Sequence, residues 1–142
     1  MTEKRFWLSV LMIWTIIFLT DWIFHGVWMA GLYQQTAHLW RPMEEMSQTM
    51  WVMWVGHVFF AWAFVWIFTK GMSKDKPWGQ AFRYALAMFS LGTVPRLLGQ
   101  WAVSPYPTDI IFRWFIIEAI QVCLCAFALT WAYKTKMNFS HA

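Results

Sequence analysis

An all-α integral membrane protein, built as a four-transmembrane-helix bundle with both termini in the cytoplasm, is the fold this 142-residue sequence predicts. Three observations point there. Hydrophobic residues make up 60% of the chain and charged residues 13%, a balance that the surface of a soluble domain of this size does not accommodate. Four apolar stretches are long enough to cross a hydrocarbon core at ~1.5 Å per residue, which places helices over 6–29, 43–69, 80–103 and 110–133 of one transmembrane domain covering 1–142. Lysine and arginine then collect at one set of helix ends: Lys4 and Arg5, Lys70, Lys74 and Lys76, Arg83, Lys134 and Lys136. That is the positive-inside pattern, and the opposite loops, with Arg41, Glu44, Glu45 and Asp109, hold little positive charge. Because the net charge of +4 is spread over helix ends and not over one surface, it does not indicate nucleic acid as a partner.

The first helix, from Phe6 to Met29, is longer than a secretory h-region and is followed by Tyr33, Gln34 and Gln35 where a small-x-small cleavage site would stand, so it is expected to remain as an anchor. Residues 30–41 alternate Leu32, Tyr33, Leu39 and Trp40 with Gln34, Gln35, Thr36 and His38, as an amphipathic segment lying in the membrane interface does. Pro42 suits the first turn of the second helix, where its missing N–H costs nothing, and Glu44 and Glu45 complement the positive helix end. Residues 71–79 form a short charged turn closed by Pro77. On the other side Pro105 and Pro107 stop the third helix. In the fourth helix Cys123 and Cys125 point to different faces, so they read as small apolar residues and not as a disulfide, redox pair or metal pair. Many of the 13 tryptophans, among them Trp7, Trp28, Trp40, Trp51, Trp78, Trp101, Trp114 and Trp131, cluster near helix ends as an aromatic belt. Trp14, Trp54 and Trp62 fall deeper.

Six ionisable side chains, Asp21, His25, His57, Arg96, Arg113 and Glu118, sit inside the apolar stretches. With each span centred on the midplane, Asp21 and Glu118 lie ~5 Å above it on the non-cytoplasmic side, His57 ~3 Å, Arg96 ~7 Å, and His25 and Arg113 ~12 Å. Charge at such depth is costly, so these residues face protein or water and are functional candidates. Asp21 and His25 are four apart and share a helical face, as do Glu118, Gln121 and Cys125. Gly92 and Gly99 flank Arg96 on one face, which predicts close helix approach and an Arg96 buried between helices and paired with Asp21 or Glu118. Pro95 leaves the carbonyl of Leu91 without its helical donor. The formal charges of Asp21, Glu118, Arg96 and Arg113 cancel when both histidines are neutral.

Three readings of this layer compete. It is a structural staple between helices; or a pocket open to the outer side, where Arg96 binds an anionic group and Asp21, His25, His57 and Glu118 accept or relay protons; or a two-His, two-carboxylate centre for zinc or non-haem iron in a small metal-dependent membrane enzyme. Against the metal, no helix carries Glu-x-x-His or His-Glu-x-x-His, and Arg96 competes for the carboxylates. Met43, Met46, Met50 and Met53 lead toward His57 and would suit Cu(I), but such stripes more often pack helices. His25 and His57 as axial haem ligands are geometrically allowed and weakly supported. The sequence contains no phosphate-binding GxxxxGK[ST], no dinucleotide GxGxxG and no G-x-S-x-G elbow.

The run DWIFHGVWMAGLYQQTAHLWRPMEEM from Asp21 to Met46, with FTKG at Phe68 to Gly71, FRYAL at Phe82 to Leu86, and Trp114 with Glu118 in the last helix, resembles a group of small, functionally uncharacterised four-helix bacterial membrane proteins. Those sequences carry an acidic-x-x-x-His-Gly segment, a Trp-Arg-Pro-x-x-Glu-Met segment and a late acidic residue. The resemblance covers most of the chain and implies a multi-pass protein of the bacterial inner membrane, with no activity attached; the Pro95-Arg96 pair is not among the group's features. The expectation is therefore a noncatalytic binding or transport-type module, or an accessory subunit, with a polar pocket in the outer half of the bilayer formed by Asp21, His25, His57, Arg96 and Glu118. Lipid is the certain partner, and a homo-oligomer or a larger membrane complex stays open, as does any cofactor.

Overall fold

The computed structural model of the chain describes residues 3–71 and 76–137, and Lys74 and the side chain of Lys136, on which part of the basic pattern rests, lie outside the described residues. Helix α1, Glu3–Ile23, runs straight into a π-helical turn over Phe24–Trp28. A short helix α2, Ala30–Gln35, and a 3-10 turn over Ala37–Leu39 follow. Then come α3, Met43–Lys70; α4, Pro77–Met88; a second π turn, Phe89–Thr93; α5, Val94–Val103; and α6, Thr108–Met137. The described residues contain no strand.

Three segments, Glu3–Trp28, Met43–Lys70 and Thr108–Lys134, are long and apolar enough to cross a membrane, and the chain is a membrane protein. The rod formed by α4, the π turn and α5, with 12, 5 and 10 residues, is of similar length but carries Gln80, Arg83, Arg96 and Gln100 along it. Prolines set the boundaries. Pro42 stands immediately before α3, with Glu44 and Glu45 in its first turn, and Pro77 opens α4. Ser104, in front of Pro105, is extended at φ −101° and ψ 150°, which ends α5.

Helices α1 and α6 form the centre: α1 packs against α3 and α6, and α6 against α4 and α5. The main core joins Ile13 and Ile17 of α1 to Phe64 and Val65 of α3, Ala85 of α4, and Cys125 and Leu129 of α6. The Tyr84 hydroxyl donates to the carbonyl of Phe64, and its ring meets those of Phe64 and Phe68 edge-on. One end of the bundle is basic. There Arg5 donates to the carbonyl of Ala132 at 2.9 Å and covers the Tyr133 ring, while Lys134 lies 5.3 Å from the Trp78 ring. The start of α1, the start of α4 and the end of α6 thus meet at this end. At the far end a second core of Met29, Ile110 and Ile117 is covered by Tyr33, Trp40 and Trp114.

Packing of α3 is one-sided along its length. Ala61, Phe64, Val65 and Phe68 are buried, whereas the far-end half from Met43 to Phe60 is exposed apart from the half-buried Met46 and His57. The bundle is closed at its basic end and open beside α3 at the other. Among the deeper tryptophans, Trp14 stacks on Phe18 with centroids 5.4 Å apart, and Trp54 meets Phe18 edge-on.

Candidate functional site

The polar layer lies where α3 leaves the core. Asp21, in the last turn of α1, faces α3 and α6 together: His57 Nε2 stands 3.3 Å from its Oδ2, and Gln121 Nε2 donates to its Oδ1 at 2.8 Å. Gln121 is shared further, with Thr20 Oγ1 at 2.7 Å and the carbonyl of Ile17 at 3.3 Å. Thr20 can accept because its own hydroxyl donates back along the helix to Ile16 and Ile17. Asp21 and His57 are each 20% exposed at the side chain, so the pair sits at the edge of the core and not within it. His57 Nδ1 is buried and has no hydrogen-bond partner among the described residues. His57 Nε2 stands at ion-pair distance from Asp21 without an aligned hydrogen bond, and with its proton on Nε2 neutral His57 presents a bare lone pair at Nδ1; protonated, it presents an N–H with nothing to receive it.

Arg96 pairs with Glu118 Oε1, and Thr93 donates to Glu118 Oε2 at 2.8 Å, so Glu118 takes both donors from the α4–α5 rod. The π turn prepares this arrangement. Pro95 has no N–H to give, and the wider turn over Phe89–Thr93 closes on the Val94 N–H bonding to Phe89, which brings Thr93 inward as a buried residue three positions before Arg96. Contrary to the expectation from Gly92 and Gly99, Arg96 is not buried between helices. Its side chain is 47% exposed, and a Cβ at either glycine would meet nothing within 4 Å, because the glycine face turns away from α6 and Arg96 reaches Glu118 from the flank. One guanidinium nitrogen is engaged, and the others have no partner among the described residues.

His25 occupies the first π turn. The widened turn carries it off the Asp21 face toward α2, where His25 Nδ1 lies 2.6 Å from the Tyr33 hydroxyl and the two rings stack. Tyr33 also accepts from Trp114 Nε1 at 2.8 Å, and its second donor direction leads to Met29 Sδ at 3.5 Å. Burial pushes the Tyr33 phenol up, with the Trp114 bond opposing, so the hydroxyl keeps its proton at neutral pH. Trp40, held by its bond to Thr36, stacks on Tyr106 and meets Tyr33 and Trp114 edge-on, forming an aromatic cap at the far end. His25 remains within electrostatic reach of Asp21, His57 and Arg96.

Of the six expected residues, then, five share one neighbourhood as two carboxylate-centred pairs and one histidine tied to the cap. Arg113 does not join them. It folds back along α6 to Asp109, 3.1 Å away, and covers the Trp28 ring at 5.2 Å. The cancellation of charge expected from Asp21, Glu118, Arg96 and Arg113 therefore fails: two carboxylates face one guanidinium, and the layer holds one uncompensated negative charge when both imidazoles are neutral. Among the described residues no three His, Cys, Asp or Glu side chains are grouped as a cation site, since Glu118 is turned to Arg96 and Thr93, and His25 to Tyr33. Sequence reasoning missed Thr20, Thr93, Tyr33 and Trp114. Only Thr93, three before Arg96 on the same face, had a positional signal; Tyr33 and Trp114 read as interface aromatics. Comparison with family models, with curated proteins and with solved structures finds no match for this chain.

Proposed function

We propose that this protein is a multi-pass protein of the bacterial inner membrane, crossing it four times with both termini in the cytoplasm, and that it works as a noncatalytic binding or transport-type module whose polar pocket opens in the outer half of the bilayer. The orphaned His57 Nδ1 beside Asp21 carries this reading. A layer evolved only to staple helices satisfies its buried polar atoms, since each unsatisfied one costs about 1–3 kcal/mol. Here the stapling is done by Arg96, Glu118, Thr93 and Gln121, while the Asp21–His57 pair keeps spare proton-binding capacity at the open side of the bundle. Its one surplus negative charge is what a single proton on that pair neutralises. Two π turns, one carrying His25 and the other Thr93, support the reading, because such turns add a residue to a helix and persist where a side chain has to be aimed. The four-crossing topology is supported by the basic end and by the length of the α4–α5 rod. The same pocket would serve the protein as an accessory subunit of a larger complex or in a homo-oligomer.

Thiol labelling tests it. A Cys at Asp21 or His57, in a background with Cys123 and Cys125 replaced by Ala, is expected to react with a membrane-impermeant maleimide added from outside intact cells. Protection at both positions, in variants that insert and fold, would sink the hydrated pocket and leave a sealed staple.

A further inference from the structure

The face of α6 away from Gln121 and Asp21 carries a groove of its own. Five apolar side chains line it, Ala119, Ile120, Cys123, Leu124 and Phe127, around a volume of about 400 Å³. Ala119 and Cys123 are small and half-buried, and the exposed Ile120, Leu124 and Phe127 stand beside them. From Ala119 to Phe127 the groove runs ~12 Å at the rise of an α-helix, close to the ~15 Å of one hydrocarbon leaflet. At the end nearer the basic residues Phe127 stacks on Trp78 of α4, with ring centroids 5.8 Å apart. Lys134, two turns beyond Phe127 on the same face of α6, lies over the same indole at 5.3 Å. Trp78 thus joins the end of an apolar groove to an ammonium group. Lys76, exposed two residues before Trp78, adds a second, and among the described residues neither lysine has a carboxylate partner.

We propose that this groove is a lipid site: it holds one acyl chain of an anionic phospholipid from the leaflet at the basic end, and the phosphate of that lipid lies against Lys134 and Lys76. Each half of the site selects one half of the ligand. A groove with no polar side chain, set within a membrane-spanning segment, offers nothing to an aqueous anion and suits a hydrocarbon chain. The two ammonium groups stand where basic residues flank the ends of spanning helices, and basic sites between helices at that level attract anionic headgroups. Lys134 lays its stem against the Trp78 indole, as a lysine does when it keeps its charge at the boundary of an apolar surface. A zwitterionic headgroup brings its own cation and gains little there. A helix of a second copy, ~10 Å across, is wider than a groove whose volume averages to a cross-section of ~33 Å² along its length. The polar layer takes no part, because Glu118 and Gln121 leave this stretch of α6 on other faces, so the lipid site stands or falls without it.

The test places the full chain in nanodiscs of phosphatidylcholine with about one part in ten of phosphatidylglycerol in both leaflets, so that orientation does not matter, and weighs it by native mass spectrometry after transfer to a mild detergent. One retained lipid per chain is expected, with phosphatidylglycerol exceeding its share of the bilayer about fivefold or more, which is the effect of a single lysine at an anionic lipid surface. K134Q, alone or with K76Q, is expected to return that ratio toward the bulk composition while a lipid is still retained. C123F, which fills the groove, is expected to remove the lipid whatever its headgroup. K70Q, at the same end of the molecule but over Trp66 of α3, is expected to leave the ratio unchanged, which separates this site from a general attraction of the basic end. Retention in the bulk ratio, no retained lipid, no difference between K134Q and K70Q, or a lipid kept by folded C123F would each overturn the proposal. A dimer of the chain that C123F dissolves would also overturn it, by giving the groove to a second copy. The lipid ratio retained by the wild-type protein carries the test even where C123F does not fold.

Discussion

Glu118 is held from two directions by the same rod, and that makes its partnership with Arg96 measurable. In membrane bundles such pairs couple weakly, about 0.5 to 2 kcal/mol, because the separated groups find other partners. In a double-mutant cycle on unfolding in micelles, R96A with E118A is expected to show coupling within that range, while R96A with D21A shows close to none. Additive losses for the Arg96–Glu118 cycle would break the assignment. That Arg96 needed an anionic partner was legible in the sequence, because a guanidinium at that depth has few alternatives. Its exposure was not. Two glycines four before and three after it mark a smooth face, but only the π turn decides whether that face points at a neighbour or away, and Pro95 announces a lost hydrogen bond without saying how the helix absorbs it. Arg113 misled for a similar reason: its depth suggested the layer, whereas Asp109 one turn earlier on the same helix lay closer to hand.

At the scale of elements, helix positions follow directly from hydropathy, proline and charge, and the boundaries of α3 differ from the expected 43–69 by one residue. The two π turns left no comparable trace. They insert a residue without changing composition, and the i, i+4 relation between Asp21 and His25 that seemed to make them neighbours is the relation a π turn alters. The division of α3 into a packed and an unpacked half was equally hidden, since Phe59 and Phe64 are alike as letters. In the structure Phe64 is fully buried and Phe59 is 68% exposed. F64A is therefore expected to destabilise the fold by about 3 kcal/mol or more, through lost contacts and a cavity beside Tyr84, and F59A by less than about 0.5 kcal/mol. Denaturant titration in micelles checks both, and equal losses would mean that the free half of α3 is packed after all.

The main core of the molecule lies toward its basic end, with a second, smaller core under the aromatic cap at the other. At the basic end Arg5 lies over Tyr133, Lys134 over Trp78 and Lys70 over Trp66, which is the arrangement expected where a bundle meets the anionic cytoplasmic leaflet. A fluorescent reporter fused after the C-terminus is expected to mature in the cytoplasm and an alkaline phosphatase fusion at the same point to stay inactive; an active phosphatase would invert the molecule and put the polar layer in the inner leaflet. The unsupported half of α3 gives this asymmetry a mechanical meaning. Ala61 is the first fully buried position on the way in, so a tilt of the helix beyond it, which meets α1 through His57 on Asp21 and Trp54 on Phe18, would take Ala61 as its fulcrum. Met43 stands ~27 Å from that fulcrum and His57 ~6 Å, at the rise of an α-helix. A tilt of ~10° would sweep the tip through ~5 Å while displacing His57 from Asp21 by only ~1 Å, by the same rise. The Asp21–His57 contact is thus sited where a change of ~1 Å between the two side chains would be geared up, about fivefold on that rise, into a movement at the start of α3.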